Sequence, residues 1–215
     1  MGNTRLSIFQ LYTSLTDLYW LYFLLYGVSS IYMADIDKSN YIDTVQQNVY
    51  VQDYSSQQVI DGVQIIPLKS FPSDEGDFAE VLRFTESGEL ENVPGFKIAQ
   101  MNRTRLFPGA IKAWHMHQNQ DEIWYVPPYF QLFMGLWDTR KDSPTANKTM
   151  RINLGAGRSL MVLIPRGVAH GSANFSSKDG ELFYFVSNKF SMEQPDELRI
   201  RWDILGADFW KPERD

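Results

Sequence analysis

The chain has 215 residues, of which 44% are hydrophobic and 14% aromatic, so it carries enough apolar side chains to bury the core of one full domain. Its net charge of −6 and its scattered Lys and Arg residues exclude the basic surface that nucleic-acid-binding proteins present. The sequence has no cysteine, which excludes disulfides and leaves histidines and carboxylates to hold any metal ion. On this basis we expect a cytoplasmic protein.

An uncharged apolar run, LYWLYFLLYGVSSIYMA, occupies residues 18–34. It is barely long enough for a transmembrane helix and is diluted by Ser, Gly and Tyr, and a signal peptide would have only Arg5 as its basic region. We favour a third interpretation, in which Met33 is the natural start and the preceding residues are an upstream extension. We therefore expect residues 1–33 to lie outside the fold, with no membrane partner, and residues 34–57 to form a linker or arm.

The rest of the chain predicts an all-β domain over residues 58–215. Residues 41–54, YIDTVQQNVYVQDY, favour one helix or an arm that leads into this domain. From about Val59 onward, short apolar runs alternate with Gly, Pro, Asn and Asp, as in VIDGVQIIPL, GFKIAQMNRT, QLFMGLWD and RSLMVLIPRG. This pattern is typical of a β-sandwich or barrel. The polar segment TRKDSPTANK, residues 139–148, predicts a surface loop between two strands.

The three histidines fall in two short segments, IKAWHMHQNQDEIWYV and PRGVAHGSAN. If IKAWHMH is a strand, His115 and His117 point to one face, because side chains alternate with a period of two. The polar turn QNQD then leads into a return strand that begins at Glu122, and the Pro-Gly turn before His170 fixes the approach of that ring. A His-x-His pair alone is more often structural than ligating, but three His and one Glu would suit Mn, Fe, Ni, Cu or Zn.

The complete spacing resembles the two sequence motifs of the cupin superfamily. The first motif reads Gly109, five residues, His115, one residue, His117, four residues, Glu122, and the second reads Pro165, one residue, Gly167, two residues, His170, three residues, Asn174. The resemblance implies a cupin fold, which is a jelly-roll or double-stranded β-helix barrel. It also implies a divalent transition metal bound by His115, His117, Glu122 and His170.

Within the cupins, the chain from Val59 onward resembles the dTDP-4-dehydrorhamnose 3,5-epimerases, which invert two carbons flanking a ketone in a nucleotide sugar. The similar segments are IDGVQIIPLKSFPSDEGDFAE with the family's D-x-R-G-x-F-x-E, WDTRKDSPTANK with D-x-R-x-x-S-P-T, PRGVAHG with P-x-G-x-A-H-G, and RIRWDILGADFW with G-I-x-W-D. The resemblance implies an isomerase of carbohydrate biosynthesis that acts on a sugar or nucleotide sugar, and a homodimer.

The resemblance also implies roles for individual residues. His115 takes the position of the family's catalytic base, and Tyr184 that of its proposed acid, with Glu181 as a further candidate for proton transfer. A ligated imidazole nitrogen cannot also accept a proton, so the base and the metal-ligand interpretations of His115 compete.

We expect the substrate to contact Lys112, Trp114 and Tyr125. Lys112 stands where the family has an Arg that contacts phosphate, and Glu75 stands where the family has a second one. A carboxylate repels a diphosphate, and Lys cannot reproduce the bidentate pairing of Arg with phosphate. These departures from the family weigh against a nucleotide as part of the substrate.

The family uses no metal, and it has a Lys where this chain has Glu122. With a metal ion present, the ion could polarise a carbonyl and leave Tyr184, Glu181 or a metal-bound hydroxide for proton transfer. Two other classes of function stay open. One is a metal-dependent oxygenase or oxidase acting on a small chelating substrate, and the other is a sugar- or metal-binding cupin without turnover.

Overall fold

The computed structural model describes residues 37–51 and 59–212, and the chain divides into two units, residues 1–56 and 57–215. The first unit contains helix α1 (Asp43–Asn48), which lies within the segment predicted as a helix or arm but is shorter than it. The apolar run at residues 18–34 lies outside the described residues. In the described part of the chain, no helix is both long enough and apolar enough to cross a membrane.

The second unit is built almost entirely of β-strands. They are β1 (Gln64–Pro67), β2 (Ser70–Ser73), β3 (Gly76–Ala79), β4 (Gln100–Leu106), β5 (Ile111–Met116), β6 (Glu122–Tyr125), β7 (Gln131–Asp138), β8 (Thr149–Gly155), β9 (Leu160–Ile164), β10 (Val168–Ala173), β11 (Gly180–Val186) and β12 (Leu198–Arg199). A single 3-10 helix (Ala207–Trp210) follows among the described residues of this unit. The all-β prediction is confirmed.

The strands form two five-stranded antiparallel sheets and a hairpin. The first sheet has the order β1-β9-β6-β11-β4, the second has the order β12-β5-β10-β7-β8, and β2 pairs with β3. The segment predicted as a surface loop connects β7 to β8. Strands that are distant in sequence therefore become neighbours, which brings the two histidine segments together.

Side-chain alternation divides the apolar residues between an inner core and two outer clusters. On β9, Leu160, Val162 and Ile164 pack in the core between the sheets, whereas Met161 and Leu163 point outward. The outward residues are covered by side chains of the segment that precedes β4, namely Leu90, Val93 and Phe96. Both faces of β9 are thus buried, which explains why this strand is a continuous apolar run rather than an alternating one.

The C-terminal segment covers the outer face of the second sheet. Trp210 is 2% exposed and lies against Trp114 and Phe133, with ring centroids 4.7 Å and 5.7 Å away. Gly135 permits this approach, because a Cβ built at that position would lie 2.8 Å from the Trp210 ring. The aromatic cluster fixes the back of strand β5, whose front carries candidate site residues.

A β-bulge in β5 decides which of its side chains face inward. His115 pairs with His170 of β10, and Lys112 pairs with Ser172, so two residues of β5 oppose one of β10. The extra residue brings Lys112 and His115 to the same face, although simple alternation would separate them.

Candidate functional site

A cavity of about 930 Å³ lies between the two sheets of the second unit. The first sheet contributes Asn102, Thr104, Glu122, Trp124, Leu182 and Tyr184 to its wall, and the second contributes Lys112, His115, His170, Ser172 and Arg199. His117, which follows β5, completes the set. The structure therefore brings all three histidines and Glu122 into one cavity.

Three of these residues form a compact, buried cluster. The Nε2 atom of His117 lies 2.9 Å from one carboxylate oxygen of Glu122, and the Nε2 atom of His170 lies 3.4 Å from the other. All three candidate ligand atoms lie within 4.8 Å of one another. The exposed fractions are 7% for His117, 3% for Glu122 and 2% for His170. One point in the cavity wall is therefore within reach of two imidazoles and a carboxylate.

Backbone carbonyls fix the orientation of both rings in this cluster. His117 donates from Nδ1 to the carbonyl oxygen of Asp196, and His170 donates from Nδ1 to that of Val168 over 3.0 Å. Since a carbonyl only accepts, each Nδ1 carries a hydrogen, and each Nε2 faces Glu122. Histidines that bind metal ions are commonly held in this way.

Glu122 is ionised despite its burial. Burial raises the pKa of this carboxyl, but the charge of His170 and the hydrogen bond from His117 outweigh it and lower the pKa to about 2. The amide of Gln120 and the indole N–H of Trp124 also donate to the carboxylate, over 2.8 Å and 2.7 Å. The hydrogen bond from His117 places a hydrogen on its Nε2, which a divalent transition metal would displace on binding, so the ionised carboxylate and the two oriented rings can hold such an ion.

His115 lies beside this cluster but has other partners. Its Nδ1 atom is 3.2 Å from a carboxylate oxygen of Glu197, its Nε2 atom is 2.9 Å from Nη1 of Arg199, and its ring centroid is 6.0 Å from that of His170. A guanidinium only donates, so Nε2 is the acceptor and Nδ1–H donates to Glu197. Burial, then the charges of His170 and Arg199, lower the pKa of His115 to about 4. The ring is therefore neutral at pH 7 and has a basic Nε2.

The two candidates for the acid lie on opposite faces of β11. Tyr184 faces the cavity from the first sheet, where burial raises the pKa of its hydroxyl. Glu181 is three positions before Tyr184 in the alternation, so it points to the outer face, where it lies 3.0 Å from Nη2 of Arg103. Of the two, the structure brings Tyr184 alone to the cavity.

Of the three predicted substrate contacts, Lys112 lines the cavity, with Nζ 2.7 Å from Oγ1 of Thr104. Trp114 is fully buried in the outer aromatic cluster, and Tyr125 packs in the outer cluster of the first sheet. Both point away because they alternate with the cavity-lining residues His115 and Trp124. This corrects the expectation of contact, since a substrate in the cavity would touch neither ring.

Glu197 and Arg199, the two partners of His115, are not among the residues predicted from the sequence. The alternation of charged and apolar residues in DELRIR is typical of a strand with one polar face. Nothing local, however, indicates that β12 pairs with β5 across about 80 residues, which places Arg199 opposite His115.

The fold is a jelly roll of the kind found in sugar epimerases, as comparison with solved structures indicates. An epimerase of Sulfolobus tokodaii is 26% identical, with a TM-score of 0.57 over 68% of this chain and 81% of that one. A 4-keto-6-deoxy sugar epimerase of Streptomyces spheroides is 20% identical, with a TM-score of 0.60 over 70% of this chain and 75% of that one. The predicted cupin jelly roll is confirmed.

Residues 57–213 match the family model described as dTDP-4-dehydrorhamnose 3,5-epimerase, and the chain belongs to this family. A spore coat polysaccharide biosynthesis protein of Bacillus subtilis is 36% identical over 145 residues, which is 67% of this chain and 91% of that protein. A probable low-salt glycan biosynthesis epimerase of Haloferax volcanii is 28% identical over 144 residues, which is 67% of this chain and 89% of that protein.

Proposed function

We propose that the protein is a sugar-nucleotide epimerase that inverts a carbon next to a carbonyl group. The observation that carries this proposal is a neutral imidazole in the cavity wall, His115, whose Nδ1–H is held by Glu197 and whose Nε2 accepts a hydrogen bond from Arg199 and so carries no proton. A general base needs this arrangement, because one nitrogen must be free of its proton and the ring must be held in place. Family membership supplies the reaction class.

The two proton transfers are carried out by residues on opposite sides of the cavity. His115 lies in the second sheet and removes the proton from the carbon next to the carbonyl, while Glu197 stabilises the imidazolium that forms. Tyr184 lies in the first sheet and returns a proton from the other side of the substrate. Removal from one face and return to the other inverts the carbon.

The proposed substrate is a nucleoside-diphosphate 4-keto sugar. A structural neighbour from Legionella pneumophila is described in complex with dTDP-4-keto-L-rhamnose, which supports this class. Lys112 and Lys189 line the cavity and supply positive charge for a diphosphate. Glu75, in the β2–β3 turn, does not line the cavity, so it does not oppose a diphosphate bound there.

Incubation with dTDP-4-keto-6-deoxyglucose in D₂O tests the proposal, with proton NMR as the readout. The wild type should exchange hydrogens next to the ketone for deuterium, and His115→Ala should not. Glu181→Gln is the matched control, because Glu181 lies outside the cavity on the same strand as Tyr184. Absence of exchange in the wild type across 4-keto sugar nucleotides would overturn the proposal.

We also propose that His117, Glu122 and His170 bind a divalent transition metal ion. The close approach of their ligand atoms, their burial and the orientation of both rings support it. A bound ion would supply a Lewis acid for a substrate oxygen. His115 then keeps its role as base, because its Nε2 faces Arg199 rather than the cluster.

Elemental analysis of protein purified without chelator tests the metal proposal. About one Mn, Fe, Ni, Cu or Zn per chain is expected, with a marked decrease in Glu122→Gln. A wild type that cannot be loaded with any of these ions would exclude the metal and leave the base assignment intact.

We also propose a homodimer, which light scattering during size-exclusion chromatography would distinguish from a monomer.

A further inference from the structure

Arg199 contacts Nε2 of His115, the nitrogen that must be accessible to the substrate if His115 is the base. It lies directly opposite His115 in the pairing of β12 with β5, and its Nη1 atom donates to Nε2 of His115 over 2.9 Å. Its Nη2 atom pairs with Glu197, the same carboxylate that holds the other side of the imidazole ring. In this arrangement the basic nitrogen is covered by a permanent cation.

The guanidinium can leave this position without disturbing the core. The Arg199 side chain is 61% exposed and lines the cavity, whereas the imidazole behind it is 24% exposed. Glu197 remains within reach of both groups, so Arg199 can move away from Nε2 and keep one ionic partner. Any substrate that reaches Nε2 must enter the space next to the guanidinium.

A ketone has two neighbouring atoms that these two groups can serve, its acidic carbon and its carbonyl oxygen. The acidic carbon and the carbonyl oxygen of a ketone lie about 2.4 Å apart, as follows from the C–C and C=O bond lengths. Nη1 of Arg199 contacts Nε2 of His115 over 2.9 Å when no substrate is bound, so a small displacement of the guanidinium leaves Nε2 to face the carbon and Nη1 to face the oxygen. This pairing of a base with a neighbouring cation, itself held by Glu197, suits the formation of an enolate.

We propose that Arg199 is a catalytic residue that binds the substrate's carbonyl oxygen and stabilises the enolate formed when His115 removes the neighbouring proton. The inference rests on the proposed epimerase function and adds the group that receives the negative charge. When no substrate is bound, the same guanidinium covers the base.

The charges balance at each step. The C–H bond breaks and its proton forms an N–H bond at Nε2 of His115, while its electron pair forms a C=C bond and the carbonyl π electrons move to oxygen. Arg199 donates hydrogen bonds to that oxygen and keeps its own protons, because its guanidinium does not deprotonate. The enolate then collapses to the ketone as its carbon takes a proton from Tyr184, and solvent restores both side chains.

The order of the strands distinguishes Arg199 from the candidate metal site. Because the sheet runs β12-β5-β10, Arg199 and His170 lie in register on opposite sides of His115. Arg199 thus contacts Nε2 from one side, and the cluster of His117, Glu122 and His170 lies on the other. Substitution of Arg199 leaves that cluster unchanged, so its effect can be measured separately from metal content.

The test compares Arg199→Gln, Arg199→Lys and the wild type in the solvent-exchange assay, using protein as purified and dTDP-4-keto-6-deoxyglucose. Arg201→Gln is the matched control, because Arg201 is 80% exposed and pairs with Asp203. Loss of an oxyanion donor lowers kcat by about 100- to 1,000-fold. We expect this loss in Arg199→Gln with little change in KM, a smaller loss in Arg199→Lys, and none in Arg201→Gln.

A second measurement separates a catalytic role from a structural one. Millimolar guanidinium should restore part of the lost kcat to Arg199→Ala, because the free cation can occupy the same space. A raised KM with unchanged kcat in Arg199→Gln would make Arg199 a binding residue and overturn the inference. Unchanged kinetics, or no rescue, would also overturn it. If the wild type itself does not exchange, the proposed function fails along with the inference.

Discussion

Asp196 holds His117 from both its backbone and its side chain. Its carbonyl oxygen accepts the Nδ1–H of His117, and its carboxylate accepts the backbone N–H groups of Gln118 and Asn119 over 2.9 Å and 2.8 Å. One residue of the segment before β12 therefore fixes both the ring and the turn that follows it. The position of His117 depends on a segment about 80 residues later in the chain.

Substitution Asp196→Ala should weaken binding of the proposed metal ion and leave its three proposed ligands in place. The turn after His117 loses two hydrogen bonds, and its ring is then held less firmly toward Glu122. Loss of such a supporting contact lowers metal affinity by about 10- to 100-fold. Titration calorimetry with Zn²⁺ would measure the change. Asp179→Ala, which removes a partly exposed partner of Arg105 outside the cavity, is the control and should bind as the wild type does.

The variants His115→Ala and His117→Ala should have separate effects on metal content and exchange. His117→Ala removes a ligand from the cluster and should lose the metal while the domain stays folded, because the site lies in the wall of an otherwise complete core. His115→Ala should retain the metal and no longer exchange the substrate's hydrogens with solvent. Elemental analysis and far-UV circular dichroism would be measured on both. Loss of metal from His115→Ala would instead support the four-ligand prediction, and unfolding of His117→Ala would make the metal structural.

Local sequence patterns were sufficient to predict the β-rich domain and the shared face of His115 and His117. The period of two correctly brought His115 and His117 to one cavity, because that alternation is a property of any strand. The β5 bulge and the pairing of β12 with β5 could not be predicted in this way, since both depend on contacts between distant segments. For this reason Glu197 and Arg199, the partners of His115, were missed.

The buried carboxylate of Asp138 should stabilise the loop between β7 and β8 in a pH-dependent manner. It is 1% exposed and accepts hydrogen bonds from Arg140, Ser143 and Thr145 over 2.8 Å, 2.6 Å and 2.7 Å. Burial raises the pKa of this carboxyl, but these hydrogen bonds outweigh burial and hold the pKa far below its usual 3.8. The stabilisation is therefore complete above pH 3.8 and is lost as the pH falls toward the folded-state pKa.

Asp138→Asn should lower the free energy of unfolding by about 3 kcal/mol at pH 7, since Arg140 loses its buried partner. Thermal melts from pH 7 downward should show a gap between wild type and variant that narrows below pH 3.8. Asp142 is exposed and lies in the same loop, so Asp142→Asn should have the melting temperature of the wild type at every pH. A gap that stays constant at low pH would show that the charge of Asp138 does not carry the effect.

Gly171 should be required for the position of β5. A Cβ at this position would lie 2.5 Å from Cβ of Ala113 and 2.9 Å from the carbonyl oxygen of Lys112, so Gly171→Ala must push β5 outward. Overpacking of this kind costs about 1–3 kcal/mol of stability. The displacement should also lower the rate at which substrate hydrogens exchange with solvent, because β5 carries His115 and the bulge that orients it. The double variant Gly171→Ala/Ala113→Gly removes the nearest clash and should recover part of both the melting temperature and the rate. Recovery of stability without any recovery of rate would show that the position of β5 does not limit the reaction.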